Sequence, residues 1–187
     1  MKPDSVKKVA LTPIALIHRA MRRGFSRNEK GAVAVEFGLL ALPFFAIIGA
    51  ILETSFFFLA SQVLDSAVDT SARYIRTGQA RAADFTADDF RTMICDRLYG
   101  MFDCANLRID VETLSNFSAA SFTSPLDPLT NDWTDTQVYT NGATSGVMSV
   151  RVYYKWPTLL DIMGFNLSDA GDGYRLMSSV RVFMNEP

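Results

Sequence analysis

One long apolar segment dominates the pattern of hydrophobic and polar positions along the chain. Between residues 37 and 64 the only charged side chain is that of Glu53. The apolar run over residues 32–60 exceeds the about 20 residues that a helix needs to cross a bilayer. It therefore predicts a single transmembrane helix, with Glu36 and Glu53 near its two membrane interfaces. A buried helix of a soluble protein is the alternative, and the phenylalanine-rich content argues against it.

After the apolar segment the pattern becomes that of an amphipathic helix. Leu64, Val68 and Ile75 recur at helical spacing on one face, and Asp65 and Asp69 lie on the opposite face. A glycine at position 78 is a natural end for such a helix. The pattern predicts a long helix over residues 32–78, whose first half lies in lipid and whose second half packs on a small soluble domain.

Residues 79–187 show short helical and strand patterns, as expected of a small domain that contains both helices and strands. A helix is predicted over residues 86–99, with Thr86 as its cap and Asp89 three positions later. Alternating apolar and polar residues predict strands over residues 107–112, 147–156 and 174–184. Residues 115–146 are predicted to be mainly a long loop, and residues 157–165 one or two helical turns. A helix followed by consecutive strands predicts an α+β fold with an antiparallel sheet.

The strand patterns also predict which residues share a face. In the first strand the apolar residues alternate with Arg108, Asp110 and Glu112, which predicts a half-buried strand with these polar side chains facing solvent. In the last strand the predicted apolar face carries Leu176, Val180 and Val182.

Charge is distributed unevenly along the chain. Residues 1–30 carry eight basic and two acidic side chains, whereas the remainder carries ten basic and eighteen acidic ones. A basic segment directly before a transmembrane helix marks the cytoplasmic side, because Lys and Arg resist translocation. The predicted organisation is a basic cytoplasmic leader over residues 1–31, a long helix over residues 32–78 and a periplasmic α+β domain over residues 79–187. No nucleic-acid-binding motif accompanies the basic residues, so nucleic acid is not an expected partner.

Pro43 interrupts the apolar run, removes one backbone hydrogen bond and is predicted to kink the helix. Gly38 and Gly49 flank it and permit close approach of another helix. These residues fit a helix that packs against other membrane helices, and they equally fit a simple single-pass anchor.

Cys95 and Cys104 are the two cysteines of the chain. In an extracytoplasmic domain a pair this close in sequence is predicted to form a disulfide. A metal site would need more ligands, and the only histidine, His18, lies in the basic leader. A redox-active pair would be more closely spaced.

The sequence offers little support for catalysis. It has no histidine outside the leader and no glycine-rich phosphate loop, so we expect neither an enzyme nor a cofactor. Asp127, Asp132 and Asp135 lie in the long predicted loop. Their spacing matches no calcium-binding loop, which favours a solvated loop over a metal site.

Four features of the N-terminal half together resemble the TadE-like pseudopilin family of tight-adherence (Flp-type IV) pilus systems. They are the stretch Gly31-Ala-Val-Ala-Val-Glu36-Phe37, the proline-interrupted apolar run, Glu53 and Ser71-Ala-Arg73-Tyr74-Ile-Arg-Thr-Gly78. The resemblance is closest over about residues 28–80 and looser through the cysteine pair. It implies a minor pilin-like protein of the inner membrane that acts in pilus assembly and surface adherence. The implied partners are a prepilin peptidase, other pilin-like subunits, inner-membrane pilus assembly proteins and membrane lipid.

The resemblance also implies roles for particular residues. The peptidase would cut between Gly31 and Ala32, where a glycine presents no side chain to clash in its active site. The cut would leave a new amine on Ala32, and the Glu36 carboxylate could then pair with the Ala32 amine of a neighbouring subunit. A solvated carboxylate near a helix N-terminus is the alternative reading of Glu36. For Glu53, solvation at the outer interface and pairing with a partner protein remain equal alternatives.

Two further interpretations remain open. The chain could be an uncleaved single-pass membrane protein whose periplasmic domain binds a ligand or partner. A membrane-anchored enzyme is the weaker alternative.

Overall fold

The computed structural model describes residues 29–121, 123–134, 137–159, 161–162, 165–166, 168–171 and 173–187. Most of the predicted leader, residues 1–28, lies outside the described residues. The chain divides into two compact units, residues 1–48 and residues 49–187. Helix α1, Glu29–Arg76, contributes to both units.

In the first unit, α1 exposes a continuous apolar surface. Val33, Phe37, Leu39 and Phe45 are each 64–71 % exposed. The helix contains a window of mean hydropathy 2.3 that has no buried residue. Such a surface is unfavourable in water but is what a lipid-facing helix presents. Helix α1 therefore has the length and composition of a membrane span, as the sequence predicts.

In the second unit, α1 buries one stripe in the domain core, and the predicted amphipathic pattern is confirmed. Its buried positions recur every three or four residues: Ala60, Leu64, Ala67, Val68, Ser71, Ala72 and Ile75. The helix ends at Arg76, followed by Gly78 at φ +73°, a left-handed conformation that favours glycine. A single turn, α2, follows at Gln79–Ala82.

Helix α3, Ala87–Cys95, begins with the predicted cap. The Thr86 hydroxyl accepts from the Asp89 backbone N–H, and the Asp89 carboxylate accepts from the Thr86 backbone N–H at 2.9 Å. The hydrogen bonds from the Thr86 side chain and backbone lower the pKa of Asp89 below its ordinary value. The prediction of a helix to residue 99 was too long, because the chain turns after Cys95 and Tyr99 adopts a positive φ of 52°.

Three antiparallel strands form the main sheet, and the predicted α+β class is confirmed. They are β1, Arg108–Leu114; β2, Val147–Pro157; and β5, Tyr174–Met184, in the order β1-β2-β5. A small hairpin of β3, Asp161–Ile162, and β4, Phe165–Asn166, lies between β2 and β5 in sequence. The prediction of helical turns at residues 157–165 was therefore wrong. Pro157 is the last residue of β2, and the short strands that follow pair with each other.

Two predicted strand faces need correction. Asp110 is buried, because its carboxylate accepts from the Val138 backbone N–H at 3.1 Å as the long loop passes along β1. In β5, Met177 and Ser179 are the buried residues, whereas Leu176 and Val180 are only partly buried and line a groove with Pro125 on the other side of the sheet. Both sides of this sheet are thus partly covered, which a simple alternation rule does not anticipate.

The core lies between the α1 stripe, α3 and one face of the sheet. The largest fully buried side chains include Phe90, Leu64, Ile75, Ile94 and Leu98. Residues 115–146 are mainly irregular, as predicted, with one 3₁₀ turn at Phe117–Ala119 and a bridge between Leu126 and Trp133. This loop is held to the sheet because Val111 both donates to the Val138 carbonyl and accepts from the Thr140 backbone N–H.

The structure joins Cys95 and Cys104 in a disulfide, with a Cα–Cα distance of 5.9 Å. It connects the end of α3 to the 3₁₀ turn Cys104–Asn106 just before β1. Both half-cystines pack against the core cluster. The bridge therefore restrains the turn between helix and sheet.

Replacing both cysteines with serine is expected to lower the free energy of unfolding by about 2–3 kcal/mol, because the unfolded chain regains the entropy of a short loop. Denaturant unfolding of the full chain in detergent measures the change. A reductant should lower the stability of the wild-type protein by a similar amount and leave the double variant unchanged. Equal stability of the oxidised wild type and the double variant would contradict the prediction.

Tyr139 fixes the end of the long loop to α3. Its hydroxyl donates to Asn141 Oδ1 at 2.7 Å, and its ring contacts Phe90 at a centroid distance of 5.7 Å. Burial, with a smaller effect of the Asp89 charge, raises the pKa of Tyr139 from its ordinary value of 10.0 to about 12. The folded state therefore favours the protonated phenol.

Because the folded-state pKa of Tyr139 is raised, its contribution to stability is fully present below pH 10 and is lost as the pH rises towards about 12. An alkaline titration followed by phenolate absorbance should show a late ionisation step at about pH 12 from Tyr139. The variant Tyr139→Phe should lose this late step. Persistence of the step in that variant would assign it to another tyrosine.

Candidate processing and assembly site

The peptide bond between Gly31 and Ala32 lies in the first turn of α1, which begins at Glu29. The first four backbone N–H groups of a helix have no acceptor within it, so this turn opens at little cost. Among the described residues, and apart from the adjacent residues and the backbone of the same helix turn, no atom lies within 4 Å of the position that a Gly31 Cβ would occupy, and Ala32 is exposed. The described residues therefore leave this bond open to an enzyme.

Glu36 lies four residues after Ala32, and residues at this spacing share a helix face. Its side chain is exposed. Within the described part of the chain, no hydrogen-bond donor or cation contacts its carboxylate. The arrangement leaves Glu36 available to a group from outside, or to the amine that a cut before Ala32 would create.

Pro43 lies inside α1 and is half-buried. A proline at this position offers no N–H to the carbonyl of Leu39 four residues earlier. In the described part of the chain, beyond the adjacent residues and the local helix backbone, no atom lies within 4 Å of the position that a Gly38 Cβ would occupy. The segment around Gly38 is thus open to close packing by another helix, while the kink itself remains a prediction.

Glu53 has a partner that neither of its sequence interpretations included. Its carboxylate Oε1 accepts a hydrogen bond of 2.6 Å from the backbone N–H of Leu159, in the segment after β2. The two residues are 106 positions apart. Sequence reasoning had no signal for Leu159, because a backbone donor carries no side-chain signature.

A second polar contact joins α1 to β5. The Ser179 hydroxyl donates to Asp65 Oδ1 at 2.5 Å, and Arg181 Nε donates to Asp69 Oδ1 at 3.1 Å. Arg181 also lies 3.4 Å from Asp65 Oδ1. The acidic face of α1 is therefore partly covered by strand β5 of the domain.

The described residues contain no group of three or more potential metal ligands. Asp127 accepts from the backbone N–H groups of Leu129 and Thr130, and these hydrogen bonds lower its pKa. Its carboxylate thus shapes the loop. Asp135, the third acid of the calcium alternative, lies outside the described residues.

One groove of about 470 Å³ lies beside Trp133. The Arg108 guanidinium and the Lys155 ammonium lie 5.2 and 5.0 Å from the centroid of the Trp133 ring. Such cation–π contacts fix the ring in place.

The described residues combine an exposed apolar helix with an α+β domain whose main sheet has three antiparallel strands. The family model of the TadE-like proteins matches residues 31–73, which confirms the resemblance over this segment. No curated protein matches the chain, and no solved structure does. The family suggests a protein associated with tight-adherence pili, with a structural rather than an enzymatic role.

Proposed function

We propose that this protein is a minor pseudopilin of a tight-adherence pilus system. It is held in the inner membrane by α1, with its N-terminus in the cytoplasm and its α+β domain in the periplasm. It acts in pilus assembly and surface adherence. The observation that carries the proposal is the TadE-like match beginning at Gly31, at the start of an exposed apolar helix.

The orientation follows from charge. Cytoplasmic retention of the basic leader places the acidic remainder on the other side of the membrane. The disulfide between Cys95 and Cys104 fits this assignment, since such bonds persist in oxidising compartments such as the periplasm.

Processing removes the leader between Gly31 and Ala32. A prepilin peptidase acts on the open first turn of α1 and leaves an amine on Ala32. In the assembled state that amine pairs with Glu36 of a neighbouring subunit. In a low-dielectric environment an unpaired charge is costly, so the pair fixes the register of neighbouring helices.

Pro43 and Gly38 adapt the helix to this packing. The loosened backbone after Leu39 lets the helix bend, and Gly38 allows close contact with other pilin-like subunits or inner-membrane assembly proteins. Lipid covers the remaining apolar surface.

Mass spectrometry of the mature protein tests the proposal. In cells with an active prepilin peptidase, the chain is expected to begin at Ala32, and in a strain without the peptidase it should retain residues 1–31. Retention of the leader in both strains would reject processing. It would favour an uncleaved single-pass protein, for which the groove beside Trp133 is the candidate binding site.

A further inference from the structure

The hydrogen bond from Leu159 to Glu53 brings the segment after β2 to a particular level of α1. The contact lies within the second compact unit, which contains both residues. A hydrocarbon core requires about 20 helical residues, so a span that starts after Glu36 ends near Phe56. Glu53 lies three residues before that limit, roughly 4–5 Å inside it at the helical rise. With the span placed in this way, the hydrogen bond to Glu53 puts Leu159 at the edge of the hydrocarbon core.

The residues next to this contact are those that membrane interfaces favour. The Trp156 ring is buried in the domain core and lies 5.6 Å from the ring of Phe56, which ties this level of α1 to the domain. The Arg175 guanidinium lies 4.5 Å from the centroid of Phe57. Tyr is enriched at the boundary between lipid and water, and Arg extends its charged group towards the headgroups. Tyr174, at the start of β5, is 40 % exposed at the same end of the sheet.

Leu159 itself exposes an apolar side chain at this level. It is 84 % exposed, although its backbone N–H is fixed by Glu53. The neighbouring Pro157 is also exposed. In water this arrangement would leave apolar surface uncovered, whereas at the hydrocarbon edge lipid covers it.

We propose that Leu159, two residues after the end of β2, inserts its side chain into the outer leaflet of the bilayer that α1 spans. The partner is lipid at the boundary between headgroups and acyl chains. Glu53 is the positioning residue, since it holds the Leu159 backbone at that depth. The inference rests on the membrane span in the proposed function and is independent of processing and of the pilus.

The hydrogen bond between Leu159 and Glu53 satisfies two polar groups at the same time. A carboxylate near the hydrocarbon is unfavourable unless donors surround it, and a backbone N–H in that environment needs an acceptor. Each group supplies what the other requires. The hydrogen bond thus permits both an acid late in the span and a loop that enters the membrane surface.

Photocrosslinking to lipid in the full chain tests the proposal. A benzophenone amino acid replaces Leu159, Tyr99 or Phe45 in separate variants, which are irradiated in inner-membrane vesicles and analysed for lipid adducts by mass spectrometry. Tyr99 is the matched control, because it is also 84 % exposed but lines a groove with Gln62 and Thr70, further along α1 than Glu53. Phe45, 64 % exposed in the apolar window, reports on the span itself.

The probe at position 159 is expected to form lipid adducts at a yield near that at position 45 and several-fold above that at position 99. Adducts at 45 with none at 159, or protein adducts at 159, would overturn the inference and leave the membrane span intact. An absence of lipid adducts at 45 would reject the span, and the inference with it.

Variants of Glu53 test its positioning role. Glu53→Gln keeps an oxygen acceptor and should preserve the lipid adducts of the probe at 159. Glu53→Leu removes the acceptor and should reduce them several-fold, without changing the adducts at 45. Equal yields in both variants would show that Glu53 does not position the loop.

Discussion

Replacing Glu36 with alanine is expected to leave the chain in the membrane and to prevent its assembly with other pilin-like subunits. The side chain is exposed and makes no described contact, so its loss removes nothing from the fold of the single chain. In the assembly, however, the amine on Ala32 would lose its partner in a low-dielectric environment. Breaking such a buried pair costs about 3–5 kcal/mol, which corresponds to a loss of association of more than about 100-fold.

Counts of pili on cells and co-purification with other subunits measure the effect. Glu36→Asp retains a carboxylate and should keep part of the function, whereas Glu36→Gln should behave like the alanine variant. In a strain without the peptidase no amine forms on Ala32, so the Glu36 variants should add no further defect. Normal piliation by Glu36→Ala would remove the charge-pairing mechanism.

Replacing Gly31 with valine is expected to block removal of the leader. An added Cβ meets no atom of the described chain within 4 Å, so the protein itself tolerates the change. The peptidase has to accept the side chain next to the scissile bond. A displacement of the reacting groups by about 1 Å can reduce a rate by about 100-fold.

Gly38→Val provides the matched control, because Gly38 lies in the same helix and is equally open. The ratio of processed to unprocessed chain, read from intact masses, should fall sharply for Gly31→Val and stay unchanged for Gly38→Val. A similar loss in both variants would point to a general effect on the helix, and normal processing of Gly31→Val would place the cut elsewhere.

Much of the fold was predictable because local patterns determine it. The exposed apolar half of α1, its buried stripe through Leu64 and Ile75, and the cap of α3 at Thr86 all follow from spacing within a few residues. Strand β5 begins and ends where alternation predicts. The TadE-like element was recognisable for the same reason, since it is contiguous.

The remaining features depend on contacts between distant residues. The alternation of β1 predicts that Asp110 faces solvent, but it is buried because the distant Val138 backbone N–H donates to its carboxylate. The partial burial of Leu176 and Val180 in β5 depends on the loop around Pro125. Leu159 contacts Glu53 through its backbone N–H, and the residue type therefore gives no indication of this hydrogen bond. The proposed roles of Gly31, Ala32, Glu36 and Pro43 concern events outside the single chain, so its geometry shows their accessibility alone.

The polar contacts between α1 and β5 have a consequence for biosynthesis. Asp65 and Asp69 meet Ser179 and Arg181 across sequence separations of 114 and 112 residues. During translation the helix is therefore synthesised more than 100 residues before β5, and its apolar stripe stays exposed until the strand is made. We expect the nascent chain to require a chaperone or the translocation channel during this interval. A chain truncated before β5 should be prone to aggregation.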